Sequence, residues 1–484
     1  MKSARAKALH PLAGRPMLAH LLATVARLKP DRVVAVVGRG MDDVARVVRM
    51  HAKSRDGRPH PVVVQHPRLG TAHAASAAKK ALAGFANSGN AVLVLYADTP
   101  LIGVATLKRM LAALNAPAHP DRGASLKARG VKPARRPAVV VLGFRPSQPA
   151  AYGRLVVGSG GGLERIVEAR DASPAERAIG LCNAGAMAFD GTALFGLLAR
   201  IGNANAKREY YLTDAVAIAR AQGRTCAVVE AIEAEALGIN SRADLARAER
   251  AVQQELRARA LQGGATLLDP ETVWFSFDTR LGRDVTVGPN VVFGPDVKVG
   301  DGVEIRGFCH IEGATIARGA RVGPFARLRP GARIGPAAHV GNFVEIKNAV
   351  LDRGAKANHL AYIGDAHVGA HANVGAGAIT CNYDGRAKHF TDIGAGAFIG
   401  SNVALVAPVK IGAGAVVGAG SVIARNVAPG ALALARPKQM EMKGWARRRR
   451  APVGAQHDKR GGIRRRAAAK EKIRRRAKKK KKAR

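Results

Sequence analysis

The sequence predicts two architectures in one chain: an α/β Rossmann-like first half, truncated at its start, and, beyond residue 263, a left-handed parallel β-helix of hexapeptide repeats. Three observations carry this. Short β-branched runs alternate with alanine-rich stretches from about residue 30 to 230, the pattern of parallel strands joined by helices. A Gly- and Pro-free stretch over 242–261 reads as a connecting helix. After it, an aliphatic residue followed by glycine recurs at separations of 6 and 12 residues.

Composition supports an ordered, turn-rich protein. At 484 residues the chain exceeds what one hydrophobic core organises, and 55 glycines against 4% aromatics suit turn-dense repeats. The net charge of +43 is uneven: residues 443–484 hold 21 Lys or Arg and two acids, which is +19, and the rest of the chain carries +24. A basic body fits anionic substrates such as phosphates or a generally basic proteome. The basic tail from 447 onward is too polar to fold and is expected to be disordered, either a solvated tail or an arm making nonspecific polyanion contact. Four dispersed cysteines form no C-x-x-C pair, which points away from a disulfide framework or zinc site and toward a reducing cytoplasm. The longest apolar runs are strand-sized, so neither a membrane span nor a signal segment is expected.

In the first half, candidate strands are 33–37, 62–65, 91–96 and 138–144, with helices over 71–82 and 104–114. Residues 115–137, rich in Pro, Gly and basic residues, read as a surface loop. In the connecting helix, Leu245, Ala248, Val252 and Leu256 recur at helical spacing. The domain bounds expected are 1–240, 241–263 as linker helix, 264–445 for the β-helix, and 446–484 for the tail.

In the second half, aliphatic residues at 287, 299, 322, 334, 340, 368, 374, 393, 399, 411 and 417 each precede glycine. Stacked inside a solenoid, they form one core that no single repeat could form alone. The period breaks at 343–362 and 376–392, where loops are expected to leave the prism. His359 stands in the first break. With coils of about eighteen residues it falls near Arg329 and Lys347, cations suited to a phosphate. A histidine so placed can take the proton that an attacking amine must lose. In the first half, Asp98 follows an apolar strand at its carboxyl end, where open α/β sheets bind ligands and where a carboxylate suits magnesium or simply caps the turn.

The stretches RLRPGARIG, HVGNFVEIKNA, NHLAYIGDAHVG and VGAGAITCNYDG, with KALHPLAGRPML, LGTAHA, LYADTPL, EYYLTDA and LGINSR upstream, resemble the bacterial N-acetylglucosamine-1-phosphate uridylyltransferase and glucosamine-1-phosphate acetyltransferase family over about residues 5–445. The resemblance implies a nucleotidyltransferase first domain, a cytoplasmic homotrimer with active sites between adjacent β-helices, Mg²⁺ as cofactor, and acetyl-CoA, glucosamine 1-phosphate and UTP as substrates. It implies His359 as general base, and Arg329, Lys347, Tyr362, Asn373 and Lys388 as ligands of the acetyl acceptor. Ala376, Asn382, Tyr383, Ser401, Ala419 and Arg436 match acetyl-CoA positions, a backbone amide near Ala376 would stabilise the oxyanion, and Glu345 corresponds to a carboxylate in the same pocket. In the first domain, Lys7, Gln65, Gly70, Thr71, Gly153, Glu168, Asn183 and Asn240 match UDP-N-acetylglucosamine positions, with Asp98 and Asn240 the metal ligands.

One departure stands out. The family opens with a strand and a glycine-rich loop, L-A-A-G-x-G-T-R-M, whose backbone amides cradle the nucleotide. Met1 aligns with its last methionine, so that loop either lies upstream or is lost, and without it uridylyl transfer is expected to be impaired and neighbouring strand edges unpaired. Alternatives are a monofunctional acetyltransferase whose first half supports the trimer, or a polyanion-binding scaffold using the basic tail.

Overall fold

The computed structural model describes residues 1–51, 60–86, 89–116, 136–149, 152–205, 207–450 and 469–475, with the side chains of 448–450 excepted. The chain forms two compact units, Met1–Leu434 and Ala435–Arg484.

The expected strands of the first half form, as Ala35–Gly38, Val62–Gln65, Ala91–Val94 and Val139–Phe144. The helices form as Thr71–Ala77, continued by a 3-10 turn at Lys80–Leu82, and Val104–Asn115. Most of the 115–137 loop lies outside the described residues. The sheet, however, is mixed and not all-parallel. Cys182–Asp190 runs antiparallel between Ala91–Val94 and Val139–Phe144, and Cys226–Ala231 pairs parallel with the latter. The sequence concealed Cys182–Asp190 because CNAGAMAFD is built of small residues with low strand propensity. Six consecutive buried residues, Val139–Phe144, make the sheet's core strand. Among the described residues, Ala35–Gly38 and Val62–Gln65 pair only with each other, and Ala91–Val94 pairs only with Cys182–Asp190, leaving Val92, Leu93 and Val94 half-buried.

The connecting helix spans Arg242–Gln262, begun by a capping box between Ser241 and Asp244. Its inner face closes the open end of the solenoid. The Gln253 amide donates to Phe275 O at 2.7 Å and accepts from Phe275 N at 2.8 Å. The buried Arg257 guanidinium donates to Val273 O at 3.1 Å and Glu271 O at 2.9 Å. These bonds satisfy edge groups that the next coil satisfies elsewhere.

Beyond it the chain winds as a parallel β-helix with three strand ladders. One runs from Thr266–Leu267 through ten strands to Leu432–Ala433. A second passes His310–Ile311, Arg327–Leu328, Glu345, Tyr362 and Ile379, and a third passes Arg333–Ile334, Val350, His367, Asp392 and Lys410. All eleven aliphatic residues of the hexapeptide pattern are buried in one continuous core. Packing of this kind leaves no room for side chains where coils touch: a Cβ on Gly341 would strike the backbone of Asn358.

The first break in the period is not a loop. At 343–362 the strands lengthen, Glu345–Leu351 and Tyr362–Val368 each crossing from the second ladder to the third, and the coil shortens to 17 residues, as Asn342 pairs with His359. Only the second break leaves the prism, over residues 382–390, between Ile379–Cys381 and Thr391–Ile393. In the tail, expected to be disordered, Trp445–Arg450 is helical, as is 469–475, where good helix formers and an Arg475–Glu471 pair at 3.3 Å support one another.

Candidate functional site

Two groups of side chains assemble in the first unit, one on the β-helix and one at the mixed sheet.

On the β-helix, His359 sits exposed at the corner between the first and second ladders. Its Nδ1 lies 2.5 Å from Asn342 Oδ1, one coil earlier. With Nδ1–H donating to that carbonyl oxygen, the Nε2 lone pair is left for a proton. The same corner continues as a column: Gly377 N donates to His359 O (3.3 Å), Asn402 N to Ala376 O (2.8 Å) and Gly420 N to Ser401 O (2.8 Å). His359, Ala376, Ser401 and Ala419 therefore stack in successive coils, which joins the expected base to three expected acetyl-CoA positions.

The face beyond this corner holds Arg329, Glu345, Lys347 and Tyr362. Arg329 Nη1 donates to Glu345 Oε1 at 2.7 Å, both side chains about one-third exposed. Tyr362 pairs with Glu345, and its hydroxyl lies over Gly364, which has no side chain to displace it. Lys388, carried by the 382–390 loop, adjoins Lys347, and its positive charge pushes the Lys347 ammonium below its ordinary range. Two adjoining ammonium groups and a guanidinium suit a phosphate. The loop is stitched by Asp384, which accepts from Arg386 N (2.8 Å), Ala387 N (2.7 Å) and His389 Nε2 (2.7 Å); the Ala387 amide, then His389 and the Arg386 amide, hold its carboxyl well below the usual range. Tyr383 and Lys388 bridge across it. Asn382 is buried at the loop's root and Tyr383 exposed.

Asn373 falls elsewhere than on the Lys347 face: it pairs with Lys356 in the first ladder, before the His359 corner. Arg436 lies in the second compact unit.

At the mixed sheet, Asp98 Oδ2 and Asn240 Oδ1 each accept from Lys7 Nζ at 2.6 Å. Two oxygens converging on one cation are a donor set that fits a hard divalent ion. Nearby, Thr71 opens the helix after Gly70, whose φ of +111° and lack of Cβ admit the Tyr210 backbone, and Gln65 Nε2 donates to Gly70 O at 3.0 Å. On the far side Asn183 N donates to Gly153 O at 2.8 Å. Burial pushes the Glu168 carboxyl up, against the Thr213 hydroxyl that donates to it at 3.3 Å. Tyr96 links these parts: its hydroxyl bonds Thr71, it senses Asp98 and Glu168, and burial pushes it up to about 12. Sequence reasoning passed over Tyr96, Thr213 and Asn342; the one available signal was Tyr96 lying two residues before Asp98.

A nucleotide-type α/β half carried on a hexapeptide β-helix defines a transferase with two separate centres. Residues 1–173 match the MobA-like NTP transferase domain, and residues 278–313 and 390–425 the bacterial transferase hexapeptide (six repeats). The chain is 59% identical over 460 residues to the bifunctional protein GlmU of Paramagnetospirillum magneticum, spanning 95% of this chain and 96% of that protein. It is 59% identical over 451 residues to the bifunctional protein GlmU of Rhodospirillum rubrum (93% and 94%) and 55% identical over 449 residues to that of Novosphingobium aromaticivorans (93% and 93%). The chain belongs to the GlmU family of bifunctional transferases. It is an enzyme of two activities, glucosamine-1-phosphate acetyltransferase and N-acetylglucosamine-1-phosphate uridylyltransferase, which together yield UDP-N-acetylglucosamine.

Proposed function

We propose that acetyl transfer takes place where the His359 column meets the Arg329–Lys347–Tyr362 face, and that uridylyl transfer takes place around Lys7, Asp98 and Asn240. The observation carrying the first assignment is the Asn342 clamp on His359, which fixes one ring nitrogen and leaves the other available beside a cationic face. The phosphate of glucosamine 1-phosphate binds Arg329, Lys347 and Lys388, with Tyr362 against the sugar. Its amine attacks the acetyl-CoA thioester carbon, His359 Nε2 takes the amine proton, the C–S bond breaks, and the imidazolium returns a proton to the CoA thiolate. Acetyl-CoA lies along Ala376, Ser401 and Ala419, toward Asn382 and Tyr383, and Asn373 contacts the acceptor sugar.

In the second centre, a phosphate oxygen of N-acetylglucosamine 1-phosphate attacks the α-phosphorus of UTP and pyrophosphate leaves. Gln65, Gly70 and Thr71 bind the nucleotide, and Gly153, Glu168 and Asn183 the sugar. Mg²⁺, when bound by Asp98 and Asn240, neutralises phosphate charge, and Lys7 contributes a cation to the same phosphates. The working form is a homotrimer. Three half-exposed phenylalanines support this: Phe308, Phe325 and Phe343 stack with centroids 4.9 and 5.0 Å apart, and Leu360 next to His359 follows in the same column. An apolar stripe that runs into a catalytic corner is suited to cover by a second copy. Four free cysteines, three of them buried, support a cytoplasmic location. Release of CoA from acetyl-CoA and glucosamine 1-phosphate, lost in His359→Ala while UTP-dependent pyrophosphate release persists, is the result expected; unchanged CoA release would remove His359 from this role.

A further inference from the structure

At the far edge of the Lys347 face, where the second ladder turns into the third, a carboxylate is buried: Asp365 is 8% exposed. Its φ of +47° is left-handed, as is that of Asn348 one coil earlier at +45°. Asp and Asn tolerate that conformation better than other side chains but do not prefer it, so some interaction holds both there. The interaction is visible. Asp365 Oδ1 accepts from Asn348 Nδ2 at 2.6 Å, and Asp365 Oδ2 accepts from Asn382 Nδ2. One carboxylate thus ties three coils together, with Lys347 adjoining Asn348 in sequence and Tyr383 adjoining Asn382.

We propose that Asp365 is a positioning residue for acetyl transfer: its buried charge holds the Lys347 and Lys388 ammonium groups side by side, and its two amide bonds fix the root of the 382–390 loop against the acceptor face. This rests on the reading of Lys347 and Lys388 as phosphate ligands. Two ammonium groups in contact repel, and Arg329 adds a third positive charge. Asp365 acts on Lys347 in the opposite sense, and on its own carboxyl the two lysines act in turn. Burial favours protonation of that carboxyl, but the amides of Asn348 and Asn382 together with Lys388 and Lys347 outweigh it and keep the group below its ordinary value. The charged groups acting on the lysine pair are therefore Arg329 and Asp365, with Glu345 held by Arg329 on the neighbouring strand. Removing the carboxylate charge leaves the pair with less compensation. One lysine then loses its proton more readily or swings away, and a phosphate dianion loses a contact.

Steady-state acetylation by the full chain, measured against pH, tests this. In Asp365→Asn the KM for glucosamine 1-phosphate should rise about tenfold while the KM for acetyl-CoA moves far less, and the alkaline limb of kcat/KM for the aminosugar should move about one unit toward lower pH. Asn348→Ala, which removes a hydrogen bond but keeps the charge, should leave that limb where it is. An unmoved limb in Asp365→Asn, or equal movement in both variants, would mean that Asp365 only staples the corner and would overturn the proposal. Should Asp365→Asn fail to fold, Asp365→Glu, which keeps the charge and disturbs the amide pairing, must hold the limb at its original pH; a shift there also overturns it. Lys347→Arg separates the two readings, because an alkaline limb that persists unchanged in that variant means the lysine is not the titrating phosphate ligand, whatever Asp365 does.

Discussion

Asn342 holds His359: the amide oxygen lies 2.5 Å from Nδ1, and both residues stand at one corner of the prism in successive coils. The clamp orients the ring and selects the nitrogen that faces outward, as a partner on one side of an imidazole does in other general-base sites. His359→Ala should lower acetylation at least about 10², the lower end for a positioned base. Asn342→Ala keeps the base but frees its orientation, and a loss of about tenfold in kcat with little change in KM is expected. Stopped or continuous detection of free CoA measures both. Equal losses would mean that Asn342 does more than orient.

The second centre should respond independently. Lys7, Asp98 and Asn240 meet at a single point, with both oxygens 2.6 Å from the ammonium. Asp98→Ala should reduce UTP-dependent pyrophosphate release by about 10² or more, because catalysis of nucleotidyl transfer rests on neutralising and positioning phosphates. Acetylation by the same variant should stay within about twofold. Chelation of divalent ions should divide the activities likewise, abolishing pyrophosphate release and sparing CoA release. Loss of both would tie acetyl transfer to the metal.

Much of this arrangement is legible in the residues. The aliphatic–glycine rhythm specifies the solenoid because each such residue must be buried and each glycine lets neighbouring coils touch, and Arg329, Lys347 and His359 follow from coil arithmetic. What the rhythm conceals is its own local change. At 345–351 two short strands run together as Glu345–Leu351, so an irregular stretch in sequence becomes the most regular one in space. Asn342 and Asp365 are not legible either, since their importance lies in partners 17 residues away. In the first half, Cys182–Asp190 escaped because packing between two apolar strands overrides the weak strand preference of alanine and glycine.

The phenylalanine column gives a prediction about assembly. Phe325 lies between Phe308 and Phe343 and is 45% exposed. Phe325→Glu places a charge in the middle of the stripe without disturbing the buried core, since the side chain points out of the coil. If a second copy covers the stripe, light scattering should show the trimer dissociating at micromolar concentration, and acetylation should fall with it while uridylyl transfer is retained. A variant that stays trimeric would move the subunit interface to another face.

Core and surface positions of one strand should separate sharply. Ile399 is fully buried between coils, whereas Phe398 beside it is 50% exposed. Ile399→Ala removes packed methyl groups that the neighbouring coils cannot replace, and a loss of about 2–5 kcal/mol is expected in denaturant unfolding. Phe398→Ser should change stability by less than about 1 kcal/mol. Comparable losses would contradict the placement of the hexapeptide aliphatic inside the coil.

His367 provides a pH dependence whose direction follows from its neighbours. Its Nδ1 lies 2.9 Å from Asp392 Oδ1 and its Nε2 2.8 Å from Asp352 Oδ2, with Lys410 behind Asp392 at 3.5 Å. The Asp392 bond, then that of Asp352, raises the imidazole above its ordinary 6.5 against the opposing effect of burial. A group raised on folding binds its proton more tightly in the folded chain. Its contribution is therefore complete below pH 6.5 and is lost as pH rises through the higher folded value. All three side chains are about one-third exposed or more, so solvent screening keeps the effect small. The wild-type melting temperature should exceed that of His367→Gln by about 2 °C or less near pH 6, and the difference should vanish toward pH 9 and shrink with added salt. A difference that grows with pH would mean that neutral His367 is the form the fold prefers, and that the two aspartates are accepting from other donors.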